Sequence, residues 1–211
     1  MDPKIIAELS KYYGRSSISL KEELEISIDR NSKSYYRYVT DRLLTYISQS
    51  SFGKQSEIIL NGVVVRVCRV AQGATTPKES VSFSPIDYNQ LVQEEWEICE
   101  LRRTFLREFL FIFFREDRTI NDYFLERAIT WSMPKEDLDG TVRAAWERTF
   151  LSVCSGRYDD FPKISDDVII HVRPHATLSS NRVETPQGMY MKKMSFWINS
   201  KYVGLIYQGL K

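Results

Sequence analysis

Residues 109–114 read Phe-Leu-Phe-Ile-Phe-Phe, an unbroken apolar run closed by Glu108 before it and Arg115 after it. A strand with one wet face alternates apolar and polar residues, and a membrane helix needs about 20 apolar residues in a row. This run does neither, so it predicts a fully buried strand, over 105–114. No apolar stretch in the 211 residues is longer. No membrane partner is therefore expected, and Met1-Asp2-Pro3-Lys4 lacks the apolar segment of a secretory signal. A cytoplasmic protein is the expectation. It agrees with three widely spaced cysteines, Cys68, Cys99 and Cys154, which form no C-x-x-C pair and predict neither a disulfide framework nor a structural zinc site.

The segments around this run alternate between helical and strand periods. Ile5, Ile6 and Leu9 share one helical face, and Gly14 ends that helix. Ser19, with Glu22 three residues on, predicts the cap of a second helix, and Val39, Leu43, Leu44 and Ile47 give the apolar face of a third. From Ile58 to Val70 the chain is rich in β-branched residues, with Asn61-Gly62 as a hairpin turn. Further strands are predicted at 81–84, 125–131 and 168–172, with helices over 88–103 and over 135–154, the latter bounded by Pro134 and Gly156. A mixed segment runs from Met189 to Tyr207. With no repeat and no linker, one α+β domain over residues 1–211 is the simplest organisation.

Net charge is +1 and selects no partner, but its distribution is uneven. Residues 161–211 hold seven Lys or Arg against three acids. A basic end suits phosphate contact. No P-loop, dinucleotide fingerprint or nucleophile elbow is present, so nucleotide binding and acyl transfer have no support. The two histidines, His171 and His175, flank Pro174, which rules out a helical zinc pair; surface or DNA-facing positions are expected for both. Arg173, where a strand meets a polar loop, has the planar fork that fits guanine O6 and N7, although alone it also reads as a solvated surface arginine. Gly188 permits a tight turn before Tyr190, Lys192 and Lys193, and the two lysines are placed to touch phosphates.

Taken in order, Val172-Arg173-Pro174-His175-Ala176 and then Gly188-x-Tyr190-x-Lys192-Lys193 resemble the DNA-reading region of the MutH family. That family includes the GATC-cutting type II restriction endonucleases of the Sau type. Trp96-Glu97, the Arg102, Arg103 and Arg107 stretch, Trp131-Ser132-Met133-Pro134 and Ala145-Trp146-Glu147 extend the resemblance upstream. It implies a MutH-like (restriction-endonuclease-like) fold, with a central mixed sheet flanked by helices.

The family cuts DNA with an Asp followed by Glu-x-Lys, whose carboxylates hold Mg2+. Here the Glu-x-Lys strand resembles Gly62-Val63-Val64-Val65-Arg66, so the metal-binding glutamate becomes Val64 and the lysine Arg66. The aspartate position falls near Glu57, and two further family lysines become Thr104 and Leu106. The resemblance thus implies a degenerate catalytic site at Glu57, Val64 and Arg66, with no metal or other cofactor for this chain and Mg2+ only for a parent nuclease. DNA-binding residues are expected at Arg173, Pro174, His175, Tyr190, Lys192 and Lys193, with Gln187 where the family has arginine.

In the Sau-type enzymes two MutH-like halves share one chain. The expectation is that this chain is the C-terminal half, a non-catalytic effector that binds a second GATC duplex and partners a catalytic N-terminal domain. One alternative is an active Mg2+-dependent GATC endonuclease that uses displaced ligands, such as Glu57 with Glu79 or Asp87, and a second, left open by the changes at His175 and Gln187, is a structural or interaction module that no longer binds DNA.

Overall fold

A computed structural model describes residues 3–52, 62–175 and 182–211. The elements in order are α1 (Pro3–Ser10), α2 (Ser17–Glu23), α3 (Tyr35–Phe52), β1 (Val64–Val70), β2 (Val81–Pro85), α4 (Tyr88–Leu91), α5 (Glu100–Phe105), β3 (Phe109–Asp117), β4 (Asp122–Trp131), α6 (Lys135–Asp137), α7 (Arg143–Cys154), β5 (Ile170–Pro174), β6 (Arg182–Glu184), β7 (Tyr190–Lys192), β8 (Met194–Ile198) and α8 (Ser200–Gln208). They make an α+β chain that divides into two compact units.

The first unit comprises residues 1–79, 107–132 and 204–210. Its sheet has the order β1-β3-β4, with β1 parallel and β4 antiparallel to the central β3, so it is mixed. The apolar run forms this central strand. Leu110, Ile112 and Phe114 pack into a core with Ile5, Leu9, Leu20, Val39, Leu43 and Ile47 from α1, α2 and α3. The alternate residues Phe109, Phe111 and Phe113 stack along the opposite face at centroid spacings of 5.9 and 6.0 Å, closed by Trp131 and Tyr207. Both faces of β3 are thus dry, and each fully buried Phe contributes about 1.5–3 kcal/mol. Buried Asp122 ties α2 to β4, accepting from Ser17 Oγ at 2.6 Å and from the Ile18 amide at 3.0 Å. Gly14 takes φ +82° after α1 and donates to the Leu125 carbonyl at 2.8 Å, a turn that an L side chain would strain.

The second unit comprises residues 80–106 and 133–203 with Lys211. Its sheet has the order β2-β8-β5, all antiparallel, and β6 pairs with β7 as a separate two-stranded ribbon. Ile170, Val172, Phe196 and Ile198 are buried and apolar on one face of the sheet. His171, Arg173, Ser195 and Trp197 alternate with them and share the other.

Several expectations are corrected in detail. The cap of α2 is Ser16, whose hydroxyl accepts from the Ser19 amide at 3.1 Å, so Ser19 lies inside the helix. The helix expected over 88–103 is broken into α4, a 3-10 turn at Trp96–Ile98 and α5, because Glu95 and Cys99 are extended. The central strand starts at Phe109, since buried Phe105 is the last residue of α5. The helix over 135–154 carries a π-helical turn at Leu138–Val142, around Gly140. Cys68 and Cys99 are buried thiols, and Cys154 is exposed. The Asn61 half of the expected turn lies outside the described residues. Among those described, no helix is long and apolar enough to cross a membrane.

Candidate functional site: a nucleic-acid interface at the end of β5

The residues expected to read DNA all lie in the second unit, where β5 and β8 pair in register. Arg173 faces Ser195 across the ladder and His171 faces Trp197, which makes Trp197 the diagonal neighbour of Arg173. The Arg173 guanidinium carbon lies 3.8 Å from the centroid of the Trp197 ring. That is stacking distance for a cation on an indole face. Among the described residues, Arg173 donates to no carboxylate or carbonyl. Burial alone presses its pKa below the ordinary arginine value. It is a half-buried cation without an internal counter-ion.

The next turn of chain is fixed from both sides. The His175 amide donates to the Lys193 carbonyl at 2.9 Å, and His175 Nδ1 lies 2.8 Å from Ser195 Oγ. Pro174 pairs with Met194 at the end of the ladder. The end of β5 therefore sits against the link from β7 to β8, where Lys192 and Lys193 lie. Tyr88 Oη, on a fully buried ring, donates to the Lys192 carbonyl at 2.8 Å and anchors that link. Lys192 is exposed and Lys193 half-buried.

The ribbon adds a cation that the sequence reading did not single out. Arg182 on β6 is the direct partner of Lys192 on β7, and Glu184 that of Tyr190. Two like charges directly opposite destabilise a ribbon. Among the described residues neither Arg182 nor Lys192 forms an ion pair. Tyr190 is 62% exposed, an aromatic ring offered to solvent. The turn that joins the strands is held by the Gly188 amide on the Thr185 carbonyl at 2.8 Å, with Gly188 at φ +74°.

One residue differs from expectation. His171 is not on the surface: it is 1% exposed, and neither ring nitrogen has a partner among the described residues. Burial first, and the Arg173 charge second, push its pKa down to about 4. Gln187 is committed elsewhere. Its amide nitrogen donates to the Val153 and Cys154 carbonyls at 2.9 and 3.3 Å, capping the end of α7, and its oxygen accepts from Tyr158 at 2.6 Å. Ala176 lies outside the described residues.

The positions expected to form a degenerate catalytic site belong mostly to the first unit. Val64 is buried on β1. Arg66 Nη1 and Arg37 Nη1 share one acceptor, the Val65 carbonyl, at 3.0 and 2.7 Å. Burial, then the neighbouring Arg37, presses the Arg66 pKa down to about 10, so it stays charged at neutral pH. Arg107 Nε donates to the Gly62 carbonyl at 2.7 Å. Glu57 lies outside the described residues. Thr104, half-buried, and Leu106, exposed, lie at the end of α5.

A hard cation such as Mg2+ needs several oxygen ligands. Val64 offers none, and the Arg66 guanidinium repels a cation. Of the displaced ligands considered, Glu79 pairs with Arg69, and Asp87 caps α4 through the Asn89 and Gln90 amides. Among the described residues, no group of three or more His, Cys, Asp or Glu is arranged to hold a metal ion. The described side chains do not fit the metal.

No family model matches the chain. It is similar to the Type II restriction enzyme Sau3AI of Staphylococcus aureus, with 32% identity over an alignment covering 60% of this chain and 34% of that protein. The chain thus spans about a third of the length of the relative it matches. The similarity supports kinship with restriction endonucleases.

Proposed function

We propose that this chain is a non-catalytic, duplex-binding effector domain that reads GATC within a longer type II restriction endonuclease. The arrangement at the end of β5 carries this reading. Arg173 is a half-buried cation stacked on Trp197, the next turn holds His175 against the Lys193 carbonyl, and the β6–β7 ribbon that leads into this link carries Arg182 opposite Lys192. Arginine specifies guanine through a bidentate contact, whereas exposed lysines neutralise phosphate and fix register. Tyr190 adds an exposed π-face beside the same loop.

In this proposal DNA is held but not cut, because Val64 and Arg66 stand where a Mg2+-binding glutamate and a lysine would be needed. The parent enzyme would use Mg2+ in another, catalytic N-terminal domain. DNA bound here would act on that domain only if it bound two conformations of the enzyme with different affinity. The setting proposed is the cytoplasm, where restriction enzymes meet foreign DNA. Electrophoretic mobility shift on duplexes with and without GATC tests the reading. Tighter retention of the GATC duplex, with the DNA intact in Mg2+, is the expected result. Equal retention removes sequence reading. Metal-dependent cleavage that is abolished by Glu57→Ala supports the active-nuclease alternative instead.

A further inference from the structure

We propose that Trp197 is a positioning residue for sequence reading, a rigid platform that holds the Arg173 guanidinium flat and presents its N–H edge to the base. The inference rests on the reading of Arg173 as a base-contacting residue, and it concerns how that contact is made selective. Trp197 sits on β8, the central strand of its sheet, paired with Ser82 of β2 on one side and His171 of β5 on the other. Pairing on both sides fixes the backbone from which the ring projects. With the Arg173 guanidinium carbon 3.8 Å from the ring centroid, the indole covers one face of the cation. The five N–H donors of a guanidinium lie in its plane, so stacking leaves the donor edge open.

The immediate surroundings leave that edge uncommitted. Among the described residues, no acid or carbonyl accepts from Arg173. Ser195, directly opposite, faces His175 Nδ1. An unstacked arginine would be ordered only when DNA arrives, and that ordering opposes binding. Holding the fork beforehand removes part of that cost from the specific complex. A scrambled duplex, which needs only charge, gains little from the orientation. The platform therefore acts on the ratio of specific to non-specific affinity and not on affinity in general.

The test uses the full chain and measures affinity for a GATC duplex and a scrambled duplex at one salt concentration. Arg173→Ala sets the scale: a bidentate contact implies a loss of roughly 5- to 150-fold in the ratio. Trp197→Leu should lower the ratio by about 3- to 30-fold, the span of a cation–π contact. It should leave scrambled-duplex affinity within about twofold. Trp197→Phe keeps a π-face and should retain most of the ratio. In the Arg173→Ala background, Trp197→Leu should lower it no further.

If Arg173→Ala collapses the ratio while folded Trp197→Leu does not, the platform is wrong and the base-reading assignment stands. If Arg173→Ala leaves the ratio unchanged, both fall. Should Trp197→Leu fail to fold by circular dichroism, the unaltered protein still decides. The Arg173 Nε–H resonance, assigned by its loss in Arg173→Ala, should be shifted upfield by the indole ring current, and an unshifted resonance overturns the proposal.

Discussion

β1 begins, and β5 ends, at residues expected to matter for cutting or reading DNA, yet their surroundings differ. On β1, Val64 is buried and the guanidinium groups of Arg37 and Arg66 converge on one backbone carbonyl. An edge strand presents unpaired carbonyls, and two arginines here satisfy one of them. On β5, Arg173 has no internal acceptor among the described residues and lies on an indole, and the nearby Lys192 faces Arg182 with no acid between them. The first arrangement turns two guanidinium groups onto the protein's own backbone. The second leaves charge unanswered, which is what a polyanion would answer. Under the proposed function, this difference separates maintaining the fold from contacting DNA.

That separation predicts the largest effect for a residue with no part in recognition. Phe111→Ala opens a cavity inside β3 and should cost about 3–5 kcal/mol of stability in urea unfolding. The folded protein should keep its specific-to-non-specific affinity ratio. A changed ratio would break the separation.

His171 tests the converse, a buried residue on the same sheet face as Arg173. Its folded pKa of about 4 lies below the ordinary 6.5. Its stabilising contribution is therefore complete above pH 6.5 and is lost as pH falls toward 4, because the unfolded chain takes up the proton first. The loss should be roughly 1–3 kcal/mol over that window. His171→Leu should flatten this part of the stability profile, and an unchanged profile would assign the pH dependence to other groups.

Arg173→Ala comes next, with about 1–3 kcal/mol lost on the GATC duplex and much less on a scrambled one. Equal losses on both would make Arg173 a phosphate-contacting or structural residue. The mildest effect is expected on the ribbon. Lys192→Ala with Lys193→Ala should weaken all duplexes alike, and each lost phosphate contact should reduce the log–log salt slope by about 0.9. Arg182→Ala should add a similar decrement. A slope unchanged in both variants would place the ribbon away from DNA.

How much of this was legible beforehand varied with the physical signal. The buried strand was plain in the continuous run 109–114, but its start was misplaced because Phe105 is equally apolar while closing a helix. Ser19 with Glu22 matched a capping pattern, yet Ser16 also fits the cap position and its hydroxyl makes the bond. The order of Arg173, His175, Tyr190, Lys192 and Lys193 could be read from the sequence, and strand pairing brings their backbones together. Trp197 was overlooked, since a tryptophan in an apolar strand reads as core. Its place beside Arg173 emerges only from the register that sets it on the diagonal. Arg182 was missed for a similar reason: its pairing with Lys192 depends on the turn at Thr185–Gly188. His171 misled because a residue type does not disclose burial, and the helix-capping bond of Gln187 is equally invisible in the sequence.

The central claim is that this chain reads duplex sequence at the end of β5 without cutting the strand. One titration addresses it directly: binding of the full chain to a GATC duplex and to a scrambled duplex of equal length, in Mg2+ and at fixed salt, with the DNA recovered and sized afterwards. The account predicts at least about tenfold tighter binding to GATC, the preference that one or two bidentate contacts supply, with both duplexes recovered intact. Equal affinity for the two duplexes, or strand breaks that appear only with the divalent metal, would contradict it.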